Sequence, residues 1–149
     1  SSTMLDTQTR VLLDTNIFIS YLLSTNAERV VVKVIQAAVL GDYQLLWMED
    51  LLNEVMRTVQ TKPALQQRIP VDALNTFIQV LRTFAEAIES ITEPIPTLTR
   101  NPKDDDLLAY ALVGQADYLV TEDNDLLVLR QVDNVKIINL AKFWGLLSA

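Results

Sequence analysis

The apolar positions along the chain change spacing repeatedly, and each change marks an element. Val11-Leu12-Leu13 is a continuous apolar run cut off at Asp14, the pattern of a strand buried on both faces. Ile17 to Leu23 then reads as a helix entered from the Asp14-Thr15-Asn16 turn, whose Asp and Asn are good caps. A second helix spans about Ala27 to Leu40 and stops at Gly41. Gln44 to Trp47 is a second strand. Glu49 to about Thr61 is a helix with Leu51, Leu52, Val55, Met56 and Val59 on one face, ended with the help of Pro63.

The second half repeats this logic. Val71 to Ile88 is an amphipathic helix carrying Leu74, Phe77, Ile78, Leu81, Phe84 and Ile88 at helical spacing. Glu93-Pro94-Ile95-Pro96 is an extended connection, with a strand expected to begin near Ile91. A helix follows from Asp104 and closes at Gly114. Tyr118 to Thr121 is the next strand, Val135 to Ile138 the last clear one, and Leu140 to Leu147 the final helix. Strands alternating with helices imply an α/β fold, a parallel sheet with helices on both faces. No repeat, low-complexity tract or linker interrupts it. The reading is one domain over residues 10–149. The polar 1–9 tail reads as a non-native remnant followed by a native start near Met4.

Composition narrows the chemistry. The chain has no cysteine and no histidine, which excludes thiolate and imidazole metal sites, Ser-His-Asp catalysis and the usual acid–base group of neutral pH. Absence of cysteine and of any long apolar run fits a soluble, cytoplasmic protein without a membrane anchor. The formal net charge of −7 argues against a general basic nucleic-acid-binding surface. Acidity is concentrated between Asn101 and Asp125, where Asp104, Asp105, Asp106, Asp117, Glu122, Asp123 and Asp125 face Lys103 alone. Arg29, Lys33, Arg57, Lys62, Arg68, Arg100 and Lys103 are candidates for phosphate contact, although most cations of this kind are ordinary surface charges.

In open parallel sheets, sites form beyond the carboxyl ends of the strands. Asp14 follows the first strand directly, Asp123 lies just past Thr121, and Asp104 opens the helix leading into that strand. Glu54 sits in the helix after the second strand. Singly, each is explained as a cap, a first-turn acid, a turn former or a solvated helix residue. Together, four acids from four segments approach one sheet edge, and such a cluster resists ionisation unless a cation relieves the repulsion. A hard divalent ion such as Mg²⁺ or Mn²⁺ prefers oxygen ligands and shares them with phosphates, so phosphodiester hydrolysis is open to a chain without histidine or cysteine.

These segments resemble the PIN-domain family, in its subgroup of VapC-like toxin components. Val11-Leu12-Leu13-Asp14-Thr15-Asn16 is similar to the family's opening, and Leu51-Leu52-Asn53-Glu54-Val55 to the segment bearing its glutamate. Asn101 to Leu112 and Ala116 to Leu127 resemble its third and fourth motifs, the most specific part of the match; Asp-Thr-Asn alone is weak. The resemblance covers Arg10 to Leu147. It implies a three-layer α/β/α sandwich around a mostly parallel, roughly five-stranded sheet. It also implies a Mg²⁺- or Mn²⁺-dependent endoribonuclease that cleaves RNA and is inhibited by an antitoxin protein, in a family whose members are frequently homodimers. Asp14, Glu54, Asp104 and Asp123 match the acidic catalytic and metal positions. Asn16 and Thr121 match pocket-shaping residues, with Asp105 and Asp125 as supporting acids. Asp104 is chosen over its neighbour Asp105 by the alignment of Leu107 to Ala111. The chain departs from the subgroup at Asn101, often acidic there, and at Glu122, often small.

Other readings compete. A binding or regulatory module on the same fold, with little nuclease activity, is the main alternative, and retention of all four acids weighs against it. An aspartyl-phosphate phosphatase would want a second Asp where Asn16 stands. A receiver domain would want an Asp at a middle strand end and a lysine after a later strand; Glu93-Pro94 and Lys136 do not supply them. Dinucleotide binding lacks a Gly-rich fingerprint.

Overall fold

In the computed structural model, which describes residues 5–149, fourteen elements build one sheet flanked by helices. The expected native start near Met4, and the remnant before it, lie outside the described residues. The strands are β1 (Arg10–Leu13), β2 (Gln44–Trp47), β3 (Glu86–Ala87), β4 (Tyr118–Val120), β5 (Gln131–Val132) and β6 (Val135–Ile138). The helices are α1 (Thr15–Leu23), α2 (Val30–Val39), α3 (Glu49–Thr61), α4 (Pro63–Arg68), α5 (Val71–Phe84), α6 (Pro102–Val113), α7 (Asn124–Leu127) and α8 (Leu140–Leu147).

The sheet runs β3-β2-β1-β4-β6-β5, parallel throughout except for the antiparallel β5–β6 hairpin. Its central strands carry the core: Val11, Leu12 and Leu13 of β1 and Leu119 and Val120 of β4 are fully buried. A continuous apolar strand is what a sheet covered on both faces requires. Phe77 of α5 packs against Phe18 and Tyr21 of α1, and Phe143 of α8 meets Tyr43 edge-on at 5.1 Å.

Four expectations change. Pro63 ends α3 but also opens α4, since a proline at the first helical position loses only a donor that has no partner there anyway. The helix expected to run to Ile88 stops at Phe84, and the third strand is Glu86–Ala87, not one near Ile91. Ile88 N donates to Trp47 O at 2.8 Å, so edge pairing with β2 wins over helical continuation. The sheet has six strands because the short hairpin strand β5 joins it. Finally, α2 and α6 begin at Val30 and Pro102, where Ala27 and Asp104 were expected.

Candidate metal centre

The central strands β1 and β4 deliver their acids to one place. The Asp14 amide donates to Val120 O at 2.9 Å and so continues the ladder one residue past β1. The same residue caps α1, its carboxylate accepting from Thr15 N at 2.7 Å. Thr121, fully buried, donates its hydroxyl to Asp14 Oδ2 at 2.7 Å and accepts from Asp123 N at 3.0 Å. That hydroxyl ties the ends of the two strands together. Asp123 caps α7 by accepting from Asp125 N at 2.9 Å. Capping and site geometry therefore coexist in the same side chains.

Asp104 enters from the first turn of α6, whose start is set by the Asn101 cap and Pro102. It is only 6% exposed, and its Oδ2 is buried without a hydrogen-bond partner among the described residues. Burial, the Asp123 carboxyl, and then the charges of Asp14 and Asp125 push the Asp104 carboxyl up to about 7. One oxygen each of Asp104, Asp123 and Asp125 lie within 4.8 Å of one another. Oxygens around an octahedral magnesium lie about 3–4 Å apart, given bonds of about 2.0–2.1 Å. This trio is therefore close to cation spacing, and an orphaned buried carboxylate oxygen is the kind of group that a cation would satisfy.

Asp14 and Glu54 lie outside that tight trio but line the same cleft of about 470 Å³, together with Asn16, Asp104 and Asp123. Burial raises the Asp14 carboxyl, with Asp123 and Glu54 adding to the rise; the bonds from Thr121 and Thr15 hold it back. Glu54 behaves oppositely. Burial alone would raise it, but Lys103, whose Nζ lies 2.9 Å from Oε1, and Arg57, on Oε2, hold it below the usual carboxylate range.

The two adjacent acids of α6 diverge. Asp105 turns away from the cleft and accepts from Leu98 N at 3.0 Å and Thr99 N at 2.7 Å, pinning the connection ahead of α6. Burial pushes its carboxyl up, but those amides and the Thr99 hydroxyl outweigh it, and the net direction is down. Asp125 gives both oxygens to Arg100, at 2.7 and 3.2 Å, and that guanidinium lowers it.

Sequence reasoning passed over Asp50, which lines the cleft and accepts from the Tyr110 hydroxyl at 3.0 Å. Its only signal, an acid in the first turn of a helix, is too common to single it out. Glu122 also lines the cleft, and its Oε2 accepts from Leu140 N at 2.8 Å beside the start of α8. Arg57, Arg100, Lys103 and Lys33, all named as phosphate contacts, are engaged with Glu54, Asp125, Glu54 and Glu28.

The family model described as PIN domain matches residues 10–125. VapBC2 from Rickettsia felis, solved bound to a DNA fragment from its promoter, contains a chain similar in fold at a TM-score of 0.58 and 13% identity; the match covers 88% of this chain and 98% of that one. FitAcB from Neisseria gonorrhoeae gives a TM-score of 0.51 at 16% identity, with the same two coverages, 88% and 98%. Comparison with curated proteins gave no match.

Proposed function

The chain belongs to the PIN-domain family, and from that premise we propose that it is a Mg²⁺- or Mn²⁺-dependent endoribonuclease, the toxin of a toxin–antitoxin pair. The observation that carries this reading is the buried Oδ2 of Asp104, without a partner and facing Asp123 and Asp125. A carboxylate held this way is costly to ionise in the protein alone. The structural likeness to chains of VapBC2 and FitAcB supports an antitoxin as partner.

Asp104 and Asp123 would hold the ion, with Asp14 and Glu54 as further acids of the same cleft and Asp125, the third member of the close trio, shared with Arg100. When bound, the ion supplies Lewis-acid charge, which lowers the pKa of water and stabilises a leaving oxygen. The chain's own residues set the geometry. Thr121 fixes the rotamer of Asp14 and the backbone of Asp123 through one hydroxyl. Asn16, exposed at the mouth, offers an amide to a ribose or phosphate. Lys103 and Lys62 line the cleft; Lys103 is paired with Glu54, and Lys62, unpaired among the described residues, is the cation free to meet a scissile phosphate.

One observation favours the binding module instead: both Glu54 oxygens are already engaged, by Lys103 and Arg57. Cleavage of single-stranded RNA in Mg²⁺, Mn²⁺ or EDTA, by wild type beside Asp14→Asn, separates the two. The nuclease reading expects metal-dependent cleavage, reduced at least about 100-fold in the variant, a loss of about 2.7 kcal/mol of transition-state stabilisation. Asparagine keeps a capping oxygen, so circular dichroism should be unchanged. No cleavage by wild type with any metal or RNA would move the protein to the binding module.

A further inference from the structure

Arg57, Arg100, Lys103 and Lys33 are held in ion pairs, which leaves Lys62 as the unpaired lysine of the acidic cleft, and a separate group of unpaired cations gathers at another place. Among the described residues, Arg130, Lys136 and Lys142 form no ion pair and no side-chain hydrogen bond, and all three are exposed. They line a single groove of about 590 Å³ between α8 and the β5–β6 hairpin, and no Asp or Glu is among its lining residues. In a chain of net charge −7, three unpaired cations around an acid-free groove are a local reversal of sign.

The groove is also built at a conformational cost. Arg130 sits at φ 62°, a left-handed conformation that costs a non-glycine residue about 1–2 kcal/mol. Glycine would occupy it freely, yet an arginine stands there, and its carbonyl accepts from Ile137 N at 2.9 Å. Lys136 projects from β6 opposite Gln131 on one side and Tyr118 on the other. Lys142 lies in the first turn of α8, its amide held by the Asn139 cap.

The groove adjoins the acidic cleft. Ile138 and Asn139, at the carboxyl end of β6, line the groove, while Glu122 and Asp123, at the end of β4, line the cleft. The two edges are joined by bonds of 3.0 Å from Thr121 N to Ile138 O and 2.8 Å from Leu140 N to Glu122 Oε2. Neighbouring strands lie about 4.8 Å apart, so a chain crossing the cleft meets the groove one strand further on.

We propose that this groove binds the sugar-phosphate backbone of a single-stranded RNA whose adjoining segment lies in the acidic cleft, through Arg130, Lys136 and Lys142. The proposal rests on the ribonuclease reading for what happens in the cleft, but the groove's own function is binding. Phosphate contact requires cations in reach and few competing carboxylates; no carboxylate lines the groove, and the acids Asp6 and Asp117 line the neighbouring pocket that Lys136 and Tyr118 also border. Tyr118, in the strand beside Lys136, adds an aromatic ring at the floor.

The test is binding of a fluorescent single-stranded 12-mer RNA in EDTA, read by anisotropy across a salt series, so that cleavage plays no part. The variants are Lys136→Gln with Lys142→Gln, Arg130→Gly alone, and a control pair of equal charge change, Arg29→Gln with Arg68→Gln, two cations named from sequence that line neither the cleft nor the groove. Each phosphate contact to a single strand contributes about 0.7 to the slope of log K against log salt. The groove pair should flatten the slope by about 1.4 and weaken binding about tenfold or more at physiological salt, and the control pair should do neither. Arg130→Gly should flatten it by about 0.7 without a fall in melting temperature, because the lost cation leaves a backbone that glycine accepts. Equal losses in groove and control pairs would reduce the effect to overall charge and overturn the proposal. So would unchanged RNA binding, including the case in which the groove pair loses only its grip on an acidic protein partner. Groove-dependent RNA binding by a protein that cleaves no RNA would leave the groove standing and sink the nuclease reading alone.

Discussion

Thr121 shows how much of the site hangs on one hydroxyl. It donates to Asp14 and accepts from Asp123, and it is fully buried. Replacing it with valine keeps the volume and the β-branch but leaves a half-buried carboxylate oxygen and a half-buried amide without their partner. We expect Thr121→Val to lower stability by about 1–3 kcal/mol in urea denaturation. Cleavage should fall further than stability alone explains, because Asp14 loses its fixed orientation. Activity equal to wild type at equal folded concentration would mean that Asp14 is positioned by its helix-capping bond alone. Asp104 and Asp105 make the complementary case. Asp105→Ala removes the one oxygen that accepts from two amides and should destabilise the fold by about 1–3 kcal/mol, with faster hydrogen exchange at Leu98 and Thr99. If the cleft binds metal as proposed, wild type should gain melting temperature on adding Mn²⁺; Asp105→Ala should keep that gain, and Asp104→Asn should lose it. The reverse pattern would exchange their roles.

Among the elements, α6 is seated by a glycine whose role is space and not conformation. Gly114 was expected to close the helix, and it does, but its φ of −75° is open to any residue. A Cβ there would meet Ile88 Cδ1 at 2.6 Å and Cγ1 at 2.9 Å, with Tyr110 O at 3.0 Å. Close approach lets the end of α6 pack on Ile88, just beyond β3, while the Gly114 carbonyl accepts from Arg10. Gly114→Ala should cost about 1–3 kcal/mol by forcing Ile88 aside, and pairing it with Ile88→Val should recover part of that loss. If the single variant were as stable as wild type in denaturant, the Ile88 side chain would be free to move and the close packing of no consequence.

For the whole molecule, the acid cluster predicts how stability depends on pH and metal. The Asp104 carboxyl is raised from an ordinary value of 3.8 to about 7 in the folded protein. The folded state thus holds that proton more tightly than the unfolded chain. Its stabilising contribution is complete below about 3.8 and disappears as pH rises through about 7. Without metal, stability should fall by about 2–4 kcal/mol across this window relative to an Asp104→Asn variant, whose side chain does not titrate. Saturating Mn²⁺ at pH 8 should restore it, since binding only to the native state adds about 2.7 kcal/mol at 100 times Kd. Parallel pH profiles for wild type and Asp104→Asn in EDTA would remove electrostatic strain as a property of this site. Among the described residues no helix is long and apolar enough to cross a membrane.

What the sequence determined by itself were the features with local causes. Apolar runs at β1, β2, β4 and β6 required burial, Asp14 capped a helix by residue type, and alternation of strand and helix implied the parallel sheet. The motifs around Asp14, Glu54, Asp104 and Asp123 pointed to one sheet edge, because strand direction alone sends their ends there. Tertiary structure decided whatever depended on a distant partner. Glu86–Ala87 has no strand pattern of its own and becomes β3 only because the β2 edge offers unpaired backbone groups. Asp104 and Asp105 are adjacent and chemically identical. One faces the cleft and the other the backbone of Leu98 and Thr99, since neighbouring positions on a helix point about 100° apart. The cations divide the same way: of those named from sequence, Arg100 and Lys103 meet acids brought near in folding and Lys33 and Arg57 pair with acids close by in the chain, while Arg130, Lys136 and Lys142 are left unpaired around one groove. Charge is written along the chain, but which charges meet is a property of the packed fold.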